Sequence, residues 1–104
     1  MKINVLPDEQ MRDLGFTDYA PERWFFWKHL VYDISFNMAI EKDGSSWSID
    51  VLDDVFLQPY DYQYLMTIDH PSQVAFRVKE LVDRWMMYMV KAGIVEDWEV
   101  GDYV

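Results

Sequence analysis

Metal ligation, carboxylate-pair catalysis and nucleophilic attack are the chemistries against which the polar residues of this chain must first be weighed. His29 and His70 are the two histidines. They stand far apart and lack partners at metal-ligand spacing; His29 falls in a strand-like stretch and His70 precedes a proline, so both read as structural or surface residues. Asp50, Asp53 and Asp54 could face a divalent ion, yet their spacing is not that of an EF-hand loop. Asp43-Gly44 is better suited to a turn. The serines at 35, 45, 46, 48 and 72 have no nucleophile-elbow context. Four glycines supply no phosphate-cradling loop. No metal, cofactor or catalytic residue is therefore assigned. With 19 acids, some carboxylates will meet, and a small enzyme using a carboxylate pair stays open as an alternative. Such a pair requires a desolvated cleft and separated pKa values, which no spacing reveals.

Charge says more than motifs do. Nineteen acids against nine bases leave a net charge of −10. That balance repels phosphate backbones and anionic lipid surfaces, so direct nucleic-acid and membrane binding are not expected. Between Asp43 and Phe76 there is no Lys or Arg, while Asp43, Asp50, Asp53, Asp54, Asp61 and Asp69 all fall there. Beyond Lys91 come Glu96, Asp97, Glu99 and Asp102, again without a base. These acids make either a solvated surface or an electrostatic lure for a basic partner. The latter includes mimicry of DNA against a basic host enzyme. Arg23-Trp24-Phe25-Phe26-Trp27-Lys28 interleaves bases and rings in a way that can stack single-stranded bases. Amid this acid excess, core packing is the better reading.

The elements that must position these residues are clearer. Ile34, Phe36, Met38 and Ile40 alternate with polar or small residues, as do Trp47, Ile49 and Val51 beyond an Asp-Gly. That pattern predicts a β-hairpin with one dry face. The polar face (Ser35, Asn37, Ser48, Asp50) looks bland. Arg23–Val31 is a strand with rings on both faces, either central or lining an interface. Tyr32-Asp33 leaves room only for a tight turn. A corner is expected at Leu52-Asp53-Asp54, then a short strand over 55–57 stopped by Pro59. Tyr60, Tyr62 and Tyr64 fit either a strand or a helical turn opened by Pro59 and Asp61. Upstream, Pro7-Asp8-Glu9 opens a helix of at most two turns that stops at Gly15.

Ser72 to Ala92 is a helix, with Pro71 near its start and Gly93 beyond its end. Val74, Val78, Leu81, Val82, Trp85 and Met89 share one face. Its length of about 30 Å suits it to cover the dry face of the hairpin. Phe76, Met87 and Val90 fall on the opposite side with Met86 at the flank, where a surface helix is normally polar. The N-terminal segment, the tail from Ile94 to Val104, or another molecule must cover them. With no Cys, no signal-peptide pattern and no apolar run longer than Trp85–Val90, the expectation is a protein of a reducing cytoplasm.

Ile34-Ser35-Phe36-Asn37, Lys42-Asp43-Gly44-Ser45, Ile49-Asp50-Val51-Leu52-Asp53 and Phe56-Leu57-Gln58-Pro59-Tyr60-Asp61-Tyr62 together resemble short, uncharacterised proteins encoded by phages and prophages of Gram-positive bacteria. The resemblance implies an accessory protein acting in the bacterial host's cytoplasm by binding another protein; it carries over no site residue. The expected architecture is a single α+β domain: a lead-in with a short helix (1–22), an antiparallel meander of three to four strands (23–57), one long helix packed on one face (72–92) and an acidic tail (94–104). The expected function is non-enzymatic protein binding, to a partner or to itself as a homodimer. Two surfaces are candidates. One is apolar: Phe76, Met86, Met87, Val90, Trp24 and Phe26. The other is acidic: Asp50, Asp53, Asp54, Asp61, Asp69, Glu96, Asp97 and Glu99.

Overall fold

Period-2 alternation in three consecutive stretches produces three consecutive strands. The computed structural model describes residues 1–104. Strands β2 (Arg23–Val31), β3 (Ile34–Glu41), β4 (Trp47–Asp53) and β5 (Gln58–Pro59) form an antiparallel sheet in that order. β1 (Lys2–Ile3) pairs separately with β6 (Val95–Glu96). Helices α1 (Asp8–Leu14), α2 (Tyr62–Thr67) and α3 (Gln73–Ala92) complete the α+β fold.

Register divides the side chains into two faces. On one face the cross-strand rows are Trp24–Ile40–Trp47, Phe26–Met38–Ile49 and Lys28–Phe36–Val51. On the other they are Phe25–Ala39–Ser48, Trp27–Asn37–Asp50 and His29–Ser35–Leu52. The first face is closed by α3, with Phe16 and α1's Met11 filling in beside it. Phe26 lies at the centre of this layer, 5.1 Å from Phe16, 6.2 Å from Phe36, 5.4 Å from Trp85 and 6.2 Å from Tyr88 between ring centroids. Each such aromatic pair adds about 0.5–1.5 kcal/mol to the burial of its area. Gly15 ends α1 with φ +108°, and a Cβ there would approach the Phe26 ring to 3.2 Å. Both demands select glycine.

The long helix forms within one residue of its expected bounds. Ser72 caps it by accepting from the Ala75 N–H at 3.3 Å, and Gly93 closes it in the left-handed conformation. Its fully buried stripe is Ala75, Val78, Val82, Met86 and Met89. Lys79 shares that burial because its Nζ donates to Asp83 at 2.7 Å and to the Asp102 carbonyl, above the Tyr103 ring. The C-terminal segment is thus the second cover for α3, with Ile94, Val95 and Trp98 buried. The Val104 N–H donates to the Tyr62 hydroxyl at 3.0 Å. What reads as an acidic tail is a structural layer with charges on its outer side.

Several local expectations change. β4 runs in register to Asp53, so no corner occurs at Leu52–Asp54; the irregularity lies in β2, between His29 and Val31. Residues 55–57 form a turn rather than a strand; the short strand is β5 (Gln58–Pro59), which ends at Pro59 on the edge of the sheet, where a missing donor is tolerated. Tyr62–Thr67 is helical, because the Asp61 carboxylate accepts from the Tyr64 N–H at 3.1 Å and fixes the first turn. β2 is the other edge of the sheet and is covered on one face only; Thr17 exchanges two backbone hydrogen bonds with Phe25 along part of its outer side.

Candidate functional site

Three of the six apolar candidates are core. Trp24, Phe26 and Met86 are fully buried. Trp24 and Phe26 have the parity that points them under α3. Met86 falls in the helix's buried stripe, because the C-terminal segment covers what would otherwise be an open flank. The Trp24 ring is further roofed by Lys42 (4.3 Å) and Arg12 (5.4 Å), both held by Asp18 at 2.8 and 3.0 Å. Those two cations keep the Asp18 carboxyl below its ordinary pKa, the hydrogen bond from Lys42 being the chief cause. Phe76 stays 42% exposed, whereas Met87 and Val90 are half-buried.

The acidic candidates are spread over the sheet, a turn, a helix cap, a loop and the C-terminal segment, and several have local duties. The Asp53 carboxylate accepts from the Val55 and Phe56 N–H groups at 2.9 and 3.1 Å. Asp54 accepts from the Ser35 hydroxyl at 2.8 Å, Asp61 caps α2, and Glu96 pairs with Lys2 at 3.5 Å. Asp69, Asp97 and Glu99 are exposed. Asp50 lies exposed on the open face of the sheet. Asp43 accepts from Ser45 in the β3–β4 turn, which lowers its pKa. His29 donates to the Tyr32 carbonyl and His70 is exposed in the α2–α3 loop. No three of the His, Asp and Glu side chains gather as metal ligands.

Two features absent from those expectations emerge. The first is an apolar end to the sheet. Val55, Phe56 and Leu57 are 60%, 72% and 83% exposed in succession, and Tyr32 in the β2–β3 turn is 72% exposed. Tyr32, Val55 and Phe56 line a hollow of about 360 Å³ with Ile34, Asp33 and Asp53. Its turns are tied down. The Asp54 N–H donates to the Asp33 carbonyl at 2.7 Å, and Asp53 holds the next two N–H groups. Tyr32 and Leu57 adopt φ of +51° and +53°, a conformation that costs an L-residue roughly 1–2 kcal/mol. A run of three apolar residues between Asp54 and Gln58 was the available sequence signal. It cannot alternate, so it cannot bury all three on one face of a strand.

The second is the uncovered face of the sheet. Tyr19 stacks on Phe25 at 4.5 Å, and Trp27 stands 56% exposed beside them. They form one wall of a hollow of about 380 Å³ whose floor is Asn37 and Ala39 and whose far wall is Ser48 and Asp50. The face expected to be bland is bland on β3 and β4 alone; β2 contributes rings to it. No helix of the protein is long and apolar enough to cross a membrane.

The geometry defines a four-stranded antiparallel sheet closed on one face by a long helix and open on the other. No family model and no curated protein matches the chain. Among solved structures, it is similar to the crystal structure of a DUF1831 family protein from Lactobacillus plantarum. The TM-score is 0.70 at 14% sequence identity, covering 92% of this chain and 83% of that one. At that identity the likeness concerns the fold.

Proposed function

We propose that this protein is a non-catalytic binding module that inserts Tyr32, Val55, Phe56 and Leu57 into an apolar pocket on a protein partner. The observation that carries this reading is the exposure of three successive large apolar side chains on a turn whose Val55 and Phe56 N–H groups are held by Asp53. Leaving them in water forgoes about 1.5–3 kcal/mol for each side chain that a partner would fully bury. Because the turn is already fixed, little ordering entropy opposes docking. Asp33 and Asp53 line the hollow at the apolar end, and no Lys or Arg does. A pocket rimmed by lysine or arginine is the complementary surface, and the charges would chiefly speed encounter. The resemblance to phage and prophage proteins adds a setting, the cytoplasm of a bacterial host.

This reading is favoured over the alternatives on particular grounds. DNA mimicry requires carboxylates free to be arrayed like phosphates, whereas Asp43, Asp53, Asp54 and Asp61 are engaged in turns, a cap and a serine hydrogen bond. A general acid requires a raised carboxyl pKa; Asp18 and Asp43 are displaced in the opposite direction.

Affinity capture from host extract with the wild type, Phe56→Asp and Leu57→Asp tests the proposal. A basic protein should be retained by the wild type, lost from both variants and released by high salt, while circular dichroism shows the variants folded. Retention by Phe56→Asp at wild-type level would overturn the reading. Sedimentation at micromolar concentration covers self-association: a dimer broken by Met87→Asp and indifferent to Phe56→Asp would move the working surface to the exposed side of α3.

A further inference from the structure

We propose that the open face of the sheet binds one arginine side chain of the partner protein, seated between Trp27 and Asp50. This rests on the docking reading for the existence of a basic partner, and adds a second point of contact with a defined chemistry. The same face of the sheet already seats one guanidinium between a ring and a carboxylate. Arg23 pairs with Glu41 at 2.6 Å, and its guanidinium lies 5.9 Å from the Phe25 ring centroid. Further along the same face stand a second ring and a second carboxylate: Trp27, two residues beyond Phe25 on β2, and Asp50, which lies on β4 across Asn37 rather than directly opposite as Glu41 does. Here the cation is missing: Asp50 has no ion pair, and no Lys or Arg lines the hollow above Asn37.

Register gives the site its dimensions. Trp27, Asn37 and Asp50 are direct neighbours on β2, β3 and β4. With strands about 4.8 Å apart, the backbones of the two walls stand roughly 10 Å from each other. Ala39 in the adjoining row keeps the trough open. Asn37 donates from Nδ2 to the Ser35 hydroxyl at 2.8 Å, and Ser35 donates to Asp54 at 2.8 Å. That relay takes one of the two Nδ2 hydrogens, orients the amide and leaves Asn37 Oδ1 as an acceptor at the floor. A ring, a carboxylate and an amide oxygen around one slot match a guanidinium, which stacks as a plane while several N–H groups donate in fixed directions. A compact lysine ammonium reaches such a trio at Lys79, where the three groups crowd its Nζ, but spans walls this far apart less well than a guanidinium. The excess negative charge of the chain favours a cation here over a neutral sugar, which the ring and polar groups alone would admit.

The test uses the intact protein labelled with ¹⁵N and a blocked peptide carrying a single arginine, with its citrulline and lysine counterparts as comparisons. The arginine peptide should shift the Trp27 indole N–H and the Asn37 side-chain amide in a saturable way. Trp27→Ala and Asp50→Asn should each weaken it about three- to fivefold, as expected for an exposed cation–π contact and ion pair. Phe56→Asp should leave this binding unchanged. Equal binding of the citrulline or lysine peptide, or an Asp50→Asn protein that binds as the wild type does, would overturn the proposal. If the peptide fails while Phe56→Asp still abolishes partner capture, this inference falls alone; the reverse pattern removes the docking reading and leaves the arginine site standing.

Discussion

The two faces of the sheet are built from one run of six residues, Arg23 to Lys28, and have opposite fates. Trp24 and Phe26 are sealed under α3, while Phe25 and Trp27, their immediate neighbours, face outward. Residue type does not separate them, since each face receives one Trp and one Phe. Parity does, together with what the rest of the chain places above each face. On the closed side α3, α1 and Phe16 complete a core. On the open side only Tyr19 returns, stacking on one ring and leaving the other bare. An aromatic-rich strand is therefore two statements at once, one about stability and one about what a partner can touch.

The largest effect that tests this contrast is a pair of truncations. Phe26→Ala should destabilise by about 3–5 kcal/mol, whereas Trp27→Ala should stay within about 0.5 kcal/mol. Urea denaturation measures both, and comparable losses would break the distinction between the faces. Next, Asp83→Ala would leave Lys79 with one partner in a site where both side chains are largely shielded. A loss of roughly 1.5–3 kcal/mol is expected, and finding none would mean that the ion pair contributes little and the Asp102 carbonyl alone satisfies Lys79. Leu57→Gly works in the other direction. It relieves a left-handed backbone and should stabilise by up to about 1 kcal/mol while weakening partner capture. Stability and binding would then be separable at one residue.

The smallest effect is the response to alkali. Burial raises the Tyr62 pKa above its ordinary value of 10.0. The unfolded chain loses that proton first as pH rises, so the folded state binds more protons and stability must fall with pH from about 10 upward. Melting temperatures across that range should decline less steeply in Tyr62→Phe after subtraction of the slope common to both proteins.

How much of this was legible depends on the signal each element carries. The hairpin and the long helix were, because alternation, an Asp-Gly turn, Ser72 and Gly93 are local devices that act the same way in any context. The parity of β2 was legible too, but the identity of its dry face was not, since that is set by α3 some fifty residues later. Met86 illustrates the same limit. Helical spacing put it at a flank, and only the returning segment with Ile94, Val95 and Trp98 turns that flank into interior. Charge hid that segment, as Glu96, Asp97 and Glu99 lie between and beside its buried residues. Val55–Leu57 was visible as an apolar run, yet a short run does not say whether it will be buried. The Asp53 hydrogen bonds that make it a turn depend on backbone geometry.

One further consequence comes from the pairing of β1 with β6, with Asn4 also bonded to the Ile94 and Gly93 carbonyls. On a translating ribosome the β2–β4 meander emerges with its neighbours in sequence and can pair as it appears, while β1 must wait for a partner made almost at the end of this stretch. The closing loop is long, and its entropy is repaid only once the last strand arrives. A nascent chain stalled before Ile94 should therefore hold a formed hairpin and a loose amino-terminal strand. Protease digestion of stalled chains, cutting near Pro7 but sparing the meander, would reveal that order of assembly.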